Sequence, residues 1–384
     1  MAQHAIQQRR AAVRERMRQQ GLAALLITNP ENRYYVTGFY GHDDGADSAG
    51  RVLLTADRTV LFTDGRYSEQ AREEAPDIEV IDSRDALPKL VATALQTDGW
   101  QKAERGAKPQ TLGVEADHLT LAQSKDLAAA GRRLFAVQPT RHLIEPIREV
   151  KDAAEIALTC RAAEITSQVF AHLLDYLKQP HLTEQDVAAE IYITMLRLGA
   201  EGTSFATIVA CGANSARPHT NAGNRPLESQ QPIIIDMGAR YRGYCADMTR
   251  TVFIDGVPQL WGDRYHHVLQ ANLICARGVR AGMGSKAADA LARDTLVAAG
   301  MGEQYVHGTG HGTGLEIHED PRLSPHTPAT ETIPEHSIIT IEPGVYFAGE
   351  GGIRIEDQAV VTRTGCDILT TAPRELATMI VRRG

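Results

Sequence analysis

The sequence has no stretch approaching eighteen consecutive apolar residues, so a membrane-spanning helix is excluded and no membrane partner is expected. Its N-terminal segment, MAQHAIQQRRAAVRERMRQQ, is polar and helical in pattern and lacks an apolar h-region, which makes cytoplasmic location the expectation. It lacks any CxxC spacing. The five cysteines, Cys160, Cys211, Cys245, Cys275 and Cys366, are odd in number and scattered, as reduced core thiols are. It also lacks basic excess: Lys plus Arg number 40 against 48 Asp plus Glu, a formal net charge of -8, which argues against nucleic acid as a partner. Neither a GxGxxG turn in a βαβ unit nor a GxxxxGK[ST] loop is present, so a nucleotide-binding reading has little support.

What is present is an ordinary soluble composition, 43% hydrophobic and 23% charged, over 384 residues. At roughly 150 residues per domain that length calls for two domains, possibly three. Residues 5–20 read as an amphipathic helix feeding the apolar run Leu22 to Thr28, which ends at the turn-forming Asn29-Pro30. Arg51–Thr55 and Thr59–Thr63, separated by Ala56-Asp57-Arg58, read as a hairpin. Strands are expected at 78–81, 112–115 and 134–137, with helices at 66–74, 85–97 and 119–130 between them. That alternation argues for an α/β N-terminal domain with a partly parallel sheet.

The proline-punctuated segment Pro139–Pro146 marks a domain boundary, giving domains 1–142 and 143–384. Beyond it, helices are expected at 150–178, at 183–198 with Thr183 and Asp186 in a capping arrangement, near 260–280, and at 286–299. The intervening β-rich stretches point to hairpins, hence an α+β C-terminal domain.

Two of those hairpins share a construction. In PIIIDMGARYRGYCADMTRT, Asp236 and Asp247 are equidistant from a midpoint between Tyr241 and Arg242; in IITIEPGVYFAGEGGIRIEDQAVV, Glu342 and Glu356 are equidistant from Gly349. Symmetric pairing would bring each pair of carboxylates face to face. Taken singly, each Asp is more simply a turn cap. Four acids beside apolar runs, however, resist ionisation unless a cation compensates them.

Between the hairpins lies HGTGHGTGLEIHEDP, residues 307–321. His307 and His311 stand four apart, but Gly308, Gly310, Gly312 and Gly314 argue against a helix at about 1 kcal/mol each, so this is no HExxH zinc site. The glycines instead suggest backbone packed tightly around a site, with imidazoles projecting from extended chain. Four carboxylates with imidazole form a hard donor set suited to paired Mn, Co, Zn or Fe. Cys245 is read as a buried small hydrophobe and not as a ligand.

In these contexts, IIIDMG, ADMTRT, GTGHGTG, IEPGVY and IRIED, the ordered set Asp236, Asp247, His311, Glu342 and Glu356 resembles the metallopeptidases of the pita-bread fold. The resemblance is strongest to the Xaa-Pro peptidases, aminopeptidase P and prolidase. NPENRYYVTGF and TDGRY likewise resemble their creatinase-type N-terminal domain. The resemblance implies an α/β N-terminal domain plus an α+β pita-bread C-terminal catalytic domain, and a homodimer acting on proline-containing peptides. It implies two divalent metal ions per chain, manganese by preference and otherwise cobalt, zinc or iron. Asp236, Asp247 and Glu356 would serve one ion, His311 and Glu342 the other, with a bridging hydroxide as nucleophile. Glu342 would also carry the proton to the leaving nitrogen, and His219, His307 and His318 would act in catalysis and substrate binding. Arg354, on the strand face of Glu356, would bind substrate or hold a carboxylate.

The same fold also carries enzymes acting on non-peptide C–N bonds or as lyases, and non-catalytic binding proteins that lose the ligands. The acidic stretch HDDGAD, residues 42–47, reads as a solvated loop, or as a loop attracting a peptide's amine. Of dipeptides and longer peptides, the longer are the expected substrates.

Overall fold

The computed structural model describes residues 3–41 and 48–383, so the HDDGAD stretch lies outside the described residues. The chain divides into two compact units, Met1–Ile147 and Arg148–Gly384. The division falls after Ile147 instead of after residue 142. Residues 143–147 stay with the first unit because Leu143 and Ile144 are buried and the Asn32 amide donates to Glu145 at 2.8 Å.

In the first unit, α1 (Gln3–Gln19) leads into β1 (Ala24–Ile27), whose four apolar residues are all buried, as a central strand requires. The turn-forming Asn29-Pro30 turns out to open a helix, α2 (Pro30–Thr37). Asn29 accepts from the Asn32 N–H as N-cap, and proline stands where its missing N–H is harmless. Then follow β2 (Arg51–Thr55), β3 (Thr59–Thr63), α3 (Ser68–Glu74), β4 (Glu79–Asp82), α4 (Leu87–Thr97), β5 (Gln110–Glu115), α5 (Leu121–Gly131) and β6 (Phe135–Thr140). The sheet runs β4-β3-β2-β1-β5-β6. Pairs β1/β2 and β2/β3 are antiparallel; β3/β4, β1/β5 and β5/β6 are parallel. Each parallel pair is reached by a crossover long enough to hold a helix.

A short helix α6 (Glu145–Arg148) stands at the division. The second unit then opens with α7 (Ala153–Tyr176) and α8 (Glu184–Arg197), each begun by a capping box, Asp152 with Glu155 and Thr183 with Asp186. Strands β7 (Gly202–Thr203), β8 (Ile208–Cys211), β9 (Ile233–Met237), β10 (Ala239–Tyr241), β11 (Tyr244–Cys245) and β12 (Met248–Ile254) follow. After helices α9 (Gln259–Gly278) and α10 (Ser285–Ala298) come β13 (Gly310–Gly312), β14 (Glu319–Leu323), β15 (Ile338–Ile341), β16 (Gly344–Phe347), β17 (Gly351–Arg354), β18 (Asp357–Val361), β19 (Cys366–Ile368) and β20 (Ile380–Val381). Two larger sheets, β20-β12-β9-β8 and β14-β13-β15-β18-β19, carry the smaller ladders β11-β10-β7 and β16-β17.

One core joins the helices to the sheets, with Val169, Phe170, Ile191, Val268 and Leu296 against Ile233, Ile235, Ile339, Ile341 and Ile353. Alternation along β9 sends Ile233, Ile235 and Met237 into that core and turns Asp236 to the opposite face.

The two hairpins differ in register. In the second, Ile341↔Asp357 and Gly344↔Arg354 keep one register on both sides of a break, so Glu342 and Glu356 stand opposite each other. Pro343, which has no N–H for the ladder, sits in that break. The first hairpin corrects the expected symmetry. Its turn is Arg242-Gly243, with φ of 47° and 81°, and Tyr241 pairs with Tyr244. Two positive φ values in a two-residue loop are the type I′ signature, and that turn sets the register. Asp236 therefore faces Thr249 and not Asp247. Asp247, in the break between β11 and β12, lies diagonal to it on the same face, because a partner shift of two residues preserves the side.

Candidate active site

All nine residues singled out in the sequence, His219, Asp236, Asp247, His307, His311, His318, Glu342, Arg354 and Glu356, line one cavity of about 1270 Å³ in the second unit. The glycines of the His-rich segment explain how it reaches there. A Cβ on Gly310 would lie 2.0 Å from the Thr340 carbonyl oxygen, and one on Gly312 would lie 2.1 Å from that of Asp320. Backbone is packed against backbone at this strand, and His311 projects from it.

Asp247, His311 and Glu356 are buried and each offers one atom, all within 4.8 Å of one another. His311 Nε2 is 3.6 Å from Asp247 Oδ2 and 3.5 Å from Glu342 Oε1. These approaches are not ion pairs, because burial holds the ring neutral, its pKa down at about 3. The Nδ1 proton goes to the Gly312 carbonyl at 3.0 Å, so Nε2 presents a lone pair to carboxylate oxygens.

The carboxylates tell the same story. Burial, then the charges of Glu356, Asp236 and Glu342, pushes Asp247 well above the usual range. Burial, then Glu342 and Asp236, does the same to Glu356, and burial pushes Glu342 up to about 8. Asp236 Oδ1 is buried without a hydrogen-bond partner. Mutually repelling acids, an imidazole lone pair aimed among them and an orphaned carboxylate oxygen fit hard divalent cations, which would satisfy all three.

Arg354 ties the site together. Its Nη2 donates to Asp236 Oδ2 at 2.7 Å, its Nε to the Thr249 hydroxyl at 3.0 Å, and its Nη1 to the Tyr346 hydroxyl at 2.8 Å and to the Pro218 carbonyl at 3.3 Å. Thr249 passes its own proton to Glu356 Oε2 at 2.6 Å. Of the two expected uses for Arg354, this one is holding a carboxylate.

The three remaining histidines divide. His307 lines the cavity, but both its nitrogens are engaged. Burial keeps it neutral, its pKa down at about 4, so Nδ1–H donates to the Gly308 carbonyl at 2.8 Å and Nε2 accepts from the Tyr346 hydroxyl at 2.9 Å. In this arrangement it offers no nitrogen to a substrate, contrary to the direct contact expected from sequence. His318 is exposed at the cavity wall, its ring 4.5 Å from that of His311, and partial desolvation of the ring lowers its pKa. His219 is likewise exposed in the wall.

Sequence reasoning missed Tyr346, Thr249 and Arg322. Tyr346 follows Glu342 by four and Thr249 follows Asp247 by two, signals readable only once the strand register is known. Arg322 is an exposed cation in the cavity wall. Cys245 is buried, its thiol pushed up to about 11 by burial, and it donates to the Leu315 carbonyl, as a packing residue would.

A helix-backed antiparallel framework around this hard donor set defines a metal-dependent hydrolase of the pita-bread class. Residues 157–363 match metallopeptidase family M24, and residues 9–150 match the creatinase/prolidase N-terminal domain. The chain belongs to metallopeptidase family M24. It is similar to the uncharacterized peptidase YqhT of Bacillus subtilis (strain 168), 34% identical over 358 residues that make up 93% of this chain and 96% of that one. Among solved structures, it is similar to an Xaa-Pro dipeptidase from Bacillus anthracis, with a TM-score of 0.89, 34% identity and coverage of 98% and 99% of the two chains. It is also similar to an X-Pro aminopeptidase from Thermotoga maritima MSB8, at TM-score 0.83, 33% identity and coverage of 96% and 99%. No helix among the described residues is long and apolar enough to cross a membrane.

Proposed function

We propose that this protein is an Xaa-Pro metallo-exopeptidase, removing the N-terminal residue that precedes proline. The observation that carries the reading is the convergence of Asp236, Asp247, His311, Glu342 and Glu356 on one cavity, with Asp236 Oδ1 buried there without a hydrogen-bond partner. Similarity to relatives named for Xaa-Pro peptides supports the substrate class. A non-peptide or lyase substrate has no comparable support.

On this reading Asp236, Asp247 and Glu356 hold one divalent ion, and His311 and Glu342 the other. The oxygen-rich set favours manganese, and the enzyme is a cytoplasmic homodimer. Bound divalent ions supply Lewis acidity at the scissile carbonyl and lower the pKa of water beside it. Glu342 carries a proton between water and the leaving imide nitrogen. His318 and His219, exposed in the wall, face the substrate and stabilise charge on the carbonyl oxygen. Arg354 holds Asp236 and, through Thr249, Glu356; His307 supports Tyr346 beside it.

Longer peptides remain the expected substrates. One observation favours dipeptides as a second reading: Arg322 is an exposed cation in the cavity wall with no side-chain ion pair among the described residues, and its guanidinium could meet the terminal carboxylate of a short substrate. Release of Xaa from paired Xaa-Pro and Xaa-Pro-Yaa substrates, with manganese present, tests both. Release from neither overturns the proposal, and release from Xaa-Pro alone makes it a dipeptidase.

A further inference from the structure

We propose that Asp289 and Arg293, one turn apart on α10 and outside the cavity lining, form a clamp that positions the cavity-wall loop Tyr305–Thr309 and through it His307. The inference rests on the proposed peptidase reading only in that His307 supports Tyr346 beside Arg354 in the active cavity.

Arg293 uses its fork in two directions. Nε and Nη2 donate to the two carboxylate oxygens of Asp289 at 2.6 and 3.0 Å, while Nη1 and Nη2 donate to the carbonyls of Tyr305 and His307 at 3.2 and 2.7 Å. Those carbonyls bracket Val306, an exposed residue of the cavity wall. The guanidinium also lies over the Tyr305 ring, 4.3 Å from its centroid. A lysine could keep the charge but could not span both carbonyls and both carboxylate oxygens from one nitrogen.

Asp289 closes the other end of the loop. It is almost fully buried, and Oδ1 accepts from the Thr309 N–H and the Thr309 hydroxyl, each at 2.9 Å. That hydroxyl has one proton, which goes to the carboxylate, so the 2.7 Å contact with Tyr305 is donated by the tyrosine. The Thr309 carbonyl in turn accepts from the Glu342 N–H at 2.7 Å. From the clamp, contacts run through the His307 ring to Tyr346, then Arg354, then Asp236. A surface helix is thus joined to the donor cluster without touching it. Such outer contacts fix the aim of groups that do, and small misplacements there are costly to rate.

The test is a double-mutant cycle between Arg293→Met and His307→Ala, with kcat and KM on an Xaa-Pro substrate and the metal content of each variant determined. If Arg293 works through His307, R293M lowers kcat/KM about 10- to 100-fold, and the double variant is no worse than H307A alone. R293K fails to rescue. Losses that multiply, or R293K activity equal to wild type, overturn the proposal. A second readout is independent of turnover: 15N NMR of histidine-labelled, metal-free protein, with the His307 signal assigned by its absence from H307Q. The clamp predicts a single Nδ1–H tautomer in wild type and a mixture in R293M and R293K; an unchanged tautomer in both overturns it. Should H307A retain full activity, the supporting part given to His307 fails, while the tautomer measurement still decides the clamp.

Discussion

Arg354 and Asp236, 118 positions apart in sequence, meet at 2.7 Å, and this one contact explains much of how the site is held. It engages Oδ2 of Asp236 and leaves Oδ1 without a partner. The remaining nitrogens reach Thr249 and Tyr346, so a single planar group fixes residues from three other strands. Arg354→Lys retains the charge and loses the fork. We expect kcat/KM to fall about 100-fold with metal content largely kept, as measured by steady-state kinetics beside elemental analysis. Activity within a few-fold of wild type would show that charge alone suffices.

Metal removal should reveal the protons stored in the acid cluster. Burial pushes Glu342 up to about 8, so the metal-free site holds a proton there at pH 7, and burial with neighbouring carboxylates raises Asp247 and Glu356 as well. Adding manganese to chelator-stripped protein in weak buffer should release protons, readable with an indicator dye. The release should shrink as pH rises through about 8, and Glu342→Gln should lose part of it. The sign for stability follows: an acid whose folded pKa is raised stabilises the metal-free fold at low pH. That contribution fades from the usual carboxylate pKa upward, through about 8 for Glu342. Thermal melts of stripped protein at pH 6 and pH 8.5 should show the decline, and metal-loaded protein should not.

How much of this was legible beforehand depends on whether local chain or distant packing made the decision. The Glu342/Glu356 pairing is visible because Gly349 centres an unbroken count from both sides, and the ladder keeps it. Asp236 and Asp247 are equally symmetric in the count, yet the type I′ turn at Arg242 and Gly243 places the centre one residue further on. Helix α2 was hidden behind Asn29-Pro30, a pair that serves turns and helix starts alike. That Asp236, Asp247, His311, Glu342 and Glu356 belong together could be read from their contexts, and they do line one cavity. The engagement of both His307 nitrogens could not, since Tyr346 and Gly308 reach it only through the folded strands.

The alternating glycines give a steric prediction. Gly310→Ala would place a Cβ 2.0 Å from the backbone oxygen of Thr340, and neither strand can yield by rotating a side chain. The strands must part, at about 1–3 kcal/mol or more, and His311 moves with them. We expect a lower urea midpoint and weaker manganese uptake by titration. Gly349→Ala, where an added Cβ meets nothing within 4 Å but φ is +78°, should lose some stability and leave metal uptake unchanged.

Behind the loop that carries His318, Glu319 is held between Arg148 and Lys151, with Lys151 Nζ 3.0 Å from its carboxylate. All three are almost fully buried, and the Glu316 N–H also donates to Glu319 at 3.1 Å. Burial alone would raise the Glu319 pKa; the two cations outweigh it and hold the group down at about 2. A depressed acid stabilises the fold above its unfolded pKa and loses that contribution as pH falls toward the folded one. The Glu319 share, on the order of 3 kcal/mol, should therefore disappear between about pH 4.5 and pH 2. Glu319→Gln takes the carboxylate from buried Lys151 and leaves buried Arg148 its second carboxylate, that of half-exposed Glu316 at 3.0 Å, and urea unfolding at pH 7 should show a loss of about 3 kcal/mol. Replacing Arg148, Lys151 and Glu319 together by methionine removes charges and desolvation cost at once, so the triple variant should be more stable than E319Q. If the triple variant is the less stable, the ion network contributes net stability beyond compensating its own burial. If E319Q unfolds like wild type, the cations reach water and the network does not hold the His318 loop.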